Sequence, residues 1–260
     1  MLRTAYTTLV LFVGTLVFGS LVLLAQLVGL ARGPGSVYER AQIQWGRWLL
    51  RAAGVKVVRH GGDDLPVGAP HVFVANHISW FDIPVTLDAL PPYGFVAKRE
   101  LESVPLFGAA ARAAGVIYID RENLKAAFTA YEDAASKIRA GQSVLVYPEG
   151  TRGERYALRP FKKGPFVLAI GAGVPVVPVV IHGTIAVNPR GEYRASPGVV
   201  HVHLLDPIPT EGLTYDDRQA LAEKVRFRMA DVLRTVYGVE PALESRLTAR
   251  AVIPTPELTT

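Results

Sequence analysis

The chain has 260 residues, no cysteine and a formal net charge of +5 at neutral pH. The lack of cysteine excludes disulfides, thiolate metal sites and a cysteine nucleophile. The pI of about 9.5 suits nucleic acid, anionic lipid or an anionic substrate as partner. Zinc-finger spacing and aromatic RNA-binding signatures are both missing, so no nucleic-acid partner is expected.

The first predicted element is an apolar helix. Residues 4–31 carry no charge and are dense in Leu, Val and Phe. About 20 apolar residues suffice to cross the hydrocarbon core of a bilayer. A cleaved signal peptide is the alternative, but its apolar core usually has only about 7–15 residues. We therefore predict a retained membrane anchor.

The distribution of basic residues around this segment predicts its orientation. Only Arg3 precedes it, and the six basic residues that follow it are Arg32, Arg40, Arg47, Arg51, Lys56 and Arg59. The positive-inside rule then predicts an inner-membrane protein with the bulk of the chain on the cytoplasmic side. Glycines at positions 14, 19 and 29 also permit a helix that enters only one leaflet.

A second helix is predicted after the Gly-Pro-Gly sequence at 33–35. Ser36 and Glu39 have the spacing of a capping box. Trp45 and Trp48 lie between arginines, which fits either a helix packed on the core or an interfacial helix with tryptophans at headgroup depth. The sequence leaves both interpretations open.

Short β runs alternate with helices from residue 54 onward. The predicted strands are 55–58, 72–75, 94–97, 116–119, 143–147, 176–181 and 199–205. The predicted helices are 83–90, 104–114, 122–140, 165–172 and 214–237. This alternation predicts an α/β fold, a largely parallel mixed sheet flanked by helices. We divide the chain into a membrane anchor with an amphipathic helix, an α/β domain and a loose tail: residues 1–53, 54–240 and 241–260.

Polar residues directly follow four of these strands. They are His77, Lys98, Arg121 and the run Glu149-Gly150-Thr151-Arg152. The carboxyl ends of parallel strands share one edge of a sheet, where ligands bind. We therefore expect these residues to line one cleft, in which the cations suit a phosphate.

His77 and Asp82 form the candidate catalytic pair. The four residues between them suit a corner between a strand and a helix. A carboxylate on one ring nitrogen fixes the tautomer and makes the other nitrogen a better base. A serine nucleophile is not expected, because the Gly-x-Ser-x-Gly elbow is missing. A metal is not expected either, because His201 and His203 have no evident third ligand.

Five stretches, taken in order, resemble the glycerolipid acyltransferases that acylate lysophosphatidic acid. They are Asn76-His77-Ile-Ser-Trp-Phe-Asp82, residues 95–101 with 104–108, residues 115–121, residues 146–152 and residues 174–179. The resemblance covers residues 70–185.

The resemblance implies that His77 deprotonates a glycerol hydroxyl, which attacks an acyl thioester directly, and that Asp82 orients His77. Arg121 and Arg152 would hold the phosphate of the acceptor, and Lys98, Gly150 and Thr151 would complete the binding site. Glu149 suits a structural hydrogen-bonding role as well as a substrate contact. The implied partners are membrane lipids, lysophosphatidic acid, and acyl-CoA or acyl carrier protein as co-substrate, with no cofactor.

Three alternatives remain open from the sequence. The acceptor is another lysolipid, such as a lyso-aminolipid; the protein is a lipid hydrolase in which His77 activates water; or it is a non-catalytic lipid-binding module. The intact His77–Asp82 pair disfavours the last of these.

Overall fold

The computed structural model describes residues 1–33, 35–66, 68–119 and 134–240. The helices are α1 (Leu2–Leu27), α2 (Val37–Ala53), α3 (Asp82–Ala89), α4 (Phe107–Ala113), α5 (Gly164–Ala172), α6 (Thr184–Val187) and α7 (Arg218–Tyr237). The strands are β1 (Val55–His60), β2 (Val72–Ala75), β3 (Gly94–Lys98), β4 (Ile117–Ile119), β5 (Val144–Val146), β6 (Val176–His182) and β7 (Gly198–Leu204). Two 3-10 turns cover Arg99–Ser103 and Tyr215–Asp217.

The strands form one seven-stranded sheet in the order β1-β7-β6-β2-β5-β3-β4. All neighbouring pairs are parallel except β6 and β7, so β1 and β7 run against the other five strands. This confirms the predicted largely parallel mixed sheet. The central strands β2 and β5 are buried along their whole length, as expected for parallel strands covered on both faces.

The seven predicted strands are confirmed, with ends shifted by one or two residues. The helix predicted over 104–114 begins only at Phe107, because Val104 precedes a proline and is extended, with ψ 120°. Of the helix predicted over 122–140, residues 134–139 are helical, and residues 120–133 lie outside the described residues. The predicted tail, 241–260, also lies outside them.

Helices α1 and α2 form an antiparallel pair. At one end Arg3 Nη1 donates to the carbonyl of Ala53 over 3.2 Å, and at the other the Tyr38 hydroxyl donates to the carbonyl of Leu30 over 3.2 Å. Trp45 Nε1 donates to Thr15 Oγ1 over 3.1 Å. The helix pair is therefore tied together along its full length.

The other face of α2 packs on the sheet. Leu50 and Ala53 belong to the hydrophobic cluster that contains Phe73 of β2 and Val85 of α3. The core-packing interpretation of α2 is thus confirmed. The domain boundary predicted after residue 53 does not correspond to a gap in packing and stays a prediction about chain organisation.

The outer face of α1 is apolar and uncovered. The helix has 26 residues and contains an 18-residue stretch with a mean hydropathy of 2.4, so it is long and apolar enough to cross a membrane. Leu9, Phe12 and Leu16 are each more than half exposed. Together with the apolar composition, this surface indicates membrane association.

Candidate active site

His77 and Asp82 meet at the corner between β2 and α3. The distance between His77 Nδ1 and Asp82 Oδ2 is 2.8 Å. The Asp82 side chain is fully buried, whereas the His77 side chain is 17% exposed. The imidazole is therefore held from the protein side, while part of it remains open to a substrate.

A single oxygen of Asp82 organises the whole corner. Besides the His77 ring, Asp82 Oδ2 accepts hydrogen bonds from the backbone N–H groups of Ile78 (2.6 Å) and Ser79 (2.8 Å). Backbone donors stabilise the charged form of a carboxylate. An ionised Asp82 makes His77 Nδ1 the donor in their contact, so Nε2 is left as the basic nitrogen.

Two further side chains fasten this corner to distant parts of the fold. The side-chain amide of Asn76 makes two hydrogen bonds with the backbone of Ile181 in β6. Its Nδ2 donates to the Ile181 carbonyl over 2.9 Å, and its Oδ1 accepts from the Ile181 N–H over 2.8 Å. Ser79 Oγ donates to the carbonyl of Asn188 over 2.8 Å. The position of His77 is thus set by contacts with residues more than 100 positions later in the chain.

Glu149 is buried and is satisfied by groups of the chain itself. Its Oε1 accepts from the backbone N–H of His77 over 3.3 Å, and its Oε2 accepts from both the backbone and Nε of Arg159 over 3.2 Å. Its side chain is 2% exposed. This geometry gives Glu149 the structural role among the two predicted, because it joins the loop after β5 to His77.

The loop after β5 lies directly against the catalytic corner. The backbone N–H of Gly153 donates to the carbonyl of His77 over 2.7 Å. Gly150 has a φ of +79°, a conformation that favours glycine, and a Cβ there would meet the Lys162 side chain at 2.8 Å. The short loop therefore places Thr151 and Arg152 close to His77.

Two arginines that sequence reasoning did not select hold this loop in shape. Arg159 Nη1 donates to Thr151 Oγ1 over 3.1 Å, and Arg159 Nη2 donates to the Thr151 carbonyl. Arg190 Nη1 donates to the Arg152 carbonyl over 2.9 Å. Neither arginine lies in a motif at a strand end, so the local pattern gave no signal for them.

The structure brings together His77, Asp82 and the Glu149–Arg152 run, as predicted. Lys98 is exposed at the carboxyl end of β3, the neighbour of β5, so it lies at the same edge of the sheet. Arg121 lies outside the described residues. The binding roles assigned to Lys98, Arg121, Thr151 and Arg152 stay predictions.

Tyr147 is a further site residue, which lies in the stretch 146–152 but had no role assigned from the sequence. It directly follows β5, and its ring stacks on the imidazole of His77 with centroids 4.1 Å apart and planes inclined by 17°. Burial raises the pKa of Tyr147 well above its usual value, and the negative charge of Asp82 raises it further. The neutral phenol is therefore the stable form beside the catalytic pair.

Within the described part of the chain, no three His, Asp or Glu side chains are placed to hold a metal ion. His201 Nδ1 instead lies 2.9 Å from Nε2 of His60, and His203 Nε2 lies 2.6 Å from the hydroxyl of Tyr237.

The chain matches the family described as Acyltransferase over residues 56–182. It is 33% identical over 236 residues to a putative 1-acyl-sn-glycerol-3-phosphate acyltransferase of Caenorhabditis elegans, a match that covers 89% of this chain and 80% of that protein. The chain belongs to the acyltransferase family. The matched region contains His77, Asp82 and the loop after β5, so the family assignment and the site geometry concern the same residues.

Other acyltransferases of this family match more closely over a smaller share of their length. The chain is 38% identical over 185 residues to the human 1-acyl-sn-glycerol-3-phosphate acyltransferase alpha, a match that covers 70% of this chain and 65% of the human protein.

The crystal structure of the 1-acyl-sn-glycerophosphate acyltransferase from Thermotoga maritima superposes with a TM-score of 0.75 at 27% identity, covering 90% of this chain and 95% of that one. The fold is thus shared over nine-tenths of the chain.

Proposed function

We propose that the protein transfers an acyl chain from an acyl thioester to the free hydroxyl of lysophosphatidic acid, giving phosphatidic acid. The observation that carries the proposal is the 2.8 Å contact between His77 Nδ1 and the buried Asp82 carboxylate. The similarity to proteins named as 1-acyl-sn-glycerol-3-phosphate acyltransferases supports this acceptor.

In this mechanism the Nε2 atom of His77 accepts the proton of the acceptor hydroxyl while the hydroxyl oxygen attacks the thioester carbonyl. Collapse of the tetrahedral oxyanion expels the thiolate, which takes the proton from His77. Asp82 stabilises the imidazolium that exists between these two steps. The enzyme forms no covalent intermediate in this scheme, in keeping with a chain that has no cysteine and no serine elbow.

We assign the acceptor phosphate to Arg152 and Arg121, with Lys98 at the same edge of the sheet. The Arg152 side chain is half-buried beside the catalytic corner and has no ion-pair partner among the described residues. A guanidinium binds phosphate oxygens in a bidentate manner, which fixes the direction of the attached glycerol. Such fixation would present the hydroxyl to His77.

The acyl donor in this proposal is acyl-CoA or an acyl carrier protein thioester, and no further cofactor takes part. The thioester supplies its own leaving group, and His77 handles the only proton that moves. The chemistry is therefore complete with the two substrates and the residues of the chain.

We further propose that α1 lies within one leaflet, with the α/β domain on the cytoplasmic side. Because α1 packs antiparallel along the whole of α2, a spanning α1 would draw α2 into the hydrocarbon with it. Arg47, near the middle of α2 and with a side chain that is 43% exposed, would then lie in lipid, at about 2.5–3.5 kcal/mol for an arginine near the bilayer centre. Placing only the exposed face of α1 in the bilayer avoids this cost.

The test uses the purified full-length protein, a thioester donor, and lysophosphatidic acid supplied or withheld. We expect acyl transfer only when the acceptor is present, and release of free fatty acid in its absence would indicate a hydrolase instead. A panel of lysolipids, including a lyso-aminolipid, identifies the acceptor by its kcat/KM.

His77→Ala should lower kcat by at least about 10²–10⁴-fold, the usual contribution of a general base. The matched control is His60→Ala, because β1 runs against β2 and so places His60 at the opposite edge of the sheet. Near-normal turnover by His77→Ala would contradict the proposal.

A further inference from the structure

The aromatic contact on His77 is built into the sheet. Strand β5 pairs in parallel with β2, with Val146 next to Val74, so Tyr147 comes beside Ala75, two residues before His77. Tyr147 comes directly after β5, and this register sets its ring on the imidazole at a centroid distance of 4.1 Å. The stack is therefore a consequence of strand pairing and does not depend on a mobile side chain.

The Tyr147 ring also contacts the hydrophobic core. Its hydroxyl is buried, and its ring packs against the hydrophobic cluster that includes Phe73 and Leu145. Tyr147 thus borders the imidazole of the catalytic pair through ring stacking alone, because no hydrogen bond joins it to His77 or Asp82.

An aromatic ring has a negative face, which attracts a cation within about 6 Å of its centroid. In the proposed mechanism the imidazole of His77 accepts the hydroxyl proton and becomes a cation. A ring stacked on it at 4.1 Å therefore favours the protonated state in addition to restricting the orientation of the imidazole.

We propose that Tyr147 is a positioning residue for catalysis: its ring keeps the imidazole of His77 aligned with Asp82 and stabilises the imidazolium formed during acyl transfer. The second part rests on the proposed function, in which His77 is the general base. The first part concerns geometry alone and is tested separately.

The kinetic test compares Tyr147→Phe, which keeps the ring, with Tyr147→Leu, which removes it. For Tyr147→Leu we expect kcat/KM to fall about two- to thirtyfold, the range that a cation–π contact covers. The acidic limb of its pH–rate profile should move to lower pH by about half a unit, because the imidazolium is less stable. Tyr147→Phe should retain most of the activity and the limb of the parent protein.

A matched control separates this effect from general loss of packing. Phe95→Leu removes a partly buried aromatic ring from the same hydrophobic cluster without touching His77, and it should leave the acidic limb in place. A pH–rate profile of Tyr147→Leu with the same acidic limb and the same maximal kcat/KM as the parent protein would overturn the proposal. Equal losses in the Phe and Leu variants would overturn it as well, since the ring would then not be the active feature.

The geometric test is an NMR spectrum of the full-length protein in detergent micelles with labelled histidine. The chain has only six histidines, and the His77→Ala variant identifies the resonance of His77. A ring stacked on the imidazole should shift the His77 ring protons upfield in the parent protein and in Tyr147→Phe, but not in Tyr147→Leu. No upfield shift in the folded parent protein would overturn the stack. Activity retained by His77→Ala would instead overturn the proposed function, while the ring-current shift would still report the geometry.

Discussion

At the scale of single residues, the site depends on the asymmetric use of one carboxylate. Asp82 Oδ2 accepts three hydrogen bonds, from the His77 ring and from the N–H groups of Ile78 and Ser79. The backbone bonds fix the carboxylate before any substrate binds, so the imidazole meets an acceptor that does not need to reorganise. Preorganised polar groups of this kind contribute to catalysis because they cost no rearrangement during the reaction.

Arg152 provides the sharpest test of phosphate binding in the described part of the site. Arg152→Ala should raise the KM for lysophosphatidic acid about ten- to a hundredfold, because a charge-assisted hydrogen bond contributes roughly 1.5–3 kcal/mol. The KM for the thioester donor should change less. Steady-state kinetics with each substrate varied in turn measures both constants.

Arg155→Ala is the matched control for this experiment. Arg155 is exposed three residues further along the same loop, so its removal changes the net charge equally. If both variants raised the acceptor KM to the same degree, long-range charge rather than a contact with Arg152 would explain the effect.

The catalytic pair could be predicted from the sequence because a histidine after a buried strand and a carboxylate in the next helical turn are close along the chain. The residues that hold this pair could not be predicted in the same way. Asn76 bonds to Ile181, and Ser79 to Asn188, across more than 100 positions. Such contacts follow from strand order, which hydrophobic periodicity does not encode.

At the scale of elements, the antiparallel end of the sheet gathers four histidines on one face. His60 of β1 lies beside His203 of β7, and His201 of β7 lies beside His182 of β6. Burial, together with the neighbouring His60, His201 and His182, lowers the pKa of His203 from 6.5 to about 4. The folded protein therefore keeps His203 neutral at a pH where the unfolded chain would bind a proton.

This cluster predicts that the protein loses stability in mild acid. The contribution of neutral His203 is fully present above pH 6.5 and is lost progressively as the pH falls from 6.5 towards 4, because the unfolded state then binds more protons than the folded state. Denaturant titrations of the full-length protein in detergent at pH 7 and pH 5 measure the free energy of unfolding. His203→Gln cannot be protonated, so the loss between these two values should be smaller than in the parent protein. An identical loss in both proteins would show that another group is responsible.

Strand positions were predictable because β2, β5 and β6 are runs of apolar residues bounded by turns. The reversal of β1 and β7 was not predictable, since the apolar pattern of a strand is the same in either direction. The interpretation of α2 was also undecided from its own residues. The contacts of its two tryptophans depend on α1: Thr15 Oγ1 accepts a hydrogen bond from Trp45, and the ring of Phe18 lies edge-on to that of Trp48 with centroids 4.9 Å apart.

At the scale of the whole molecule, the surface that contacts the membrane and the cleft that holds His77 must allow a lipid to pass from one to the other. The product of the proposed reaction has two acyl chains and leaves the bilayer with difficulty, so we expect the cleft to open towards lipid. Trp80, in the loop between His77 and Asp82, is 39% exposed, and Leu101 and Val104 after β3 are about equally exposed. These side chains extend an apolar surface from the site, in addition to that offered by α1.

The membrane proposal is tested by flotation with anionic liposomes. Removing residues 1–31 should leave the α/β sheet folded, because neither of the clusters that cover the sheet contains a residue of α1. However, the deletion also uncovers Tyr38 and Ala110, which α1 buries. Loss of liposome binding by the truncated protein could then result from altered packing and not from the missing apolar surface. Two substitutions on the outer face, Phe12→Asp with Leu16→Asp, keep these contacts and change only the exposed surface.

The control pair is Phe227→Asp with Val236→Asp, which introduces the same charge on exposed apolar positions of α7. We expect the α1 pair to float poorly and to lose turnover on acceptor embedded in vesicles, while the α7 pair behaves like the parent protein. Binding that survives in the α1 pair should come from the basic residues of α2 and weaken with added salt, because charges are screened beyond about 8 Å at physiological ionic strength. Full flotation by the α1 pair, or a parent protein that stays in solution without detergent and does not float, would contradict delivery of the acceptor from the bilayer through this face.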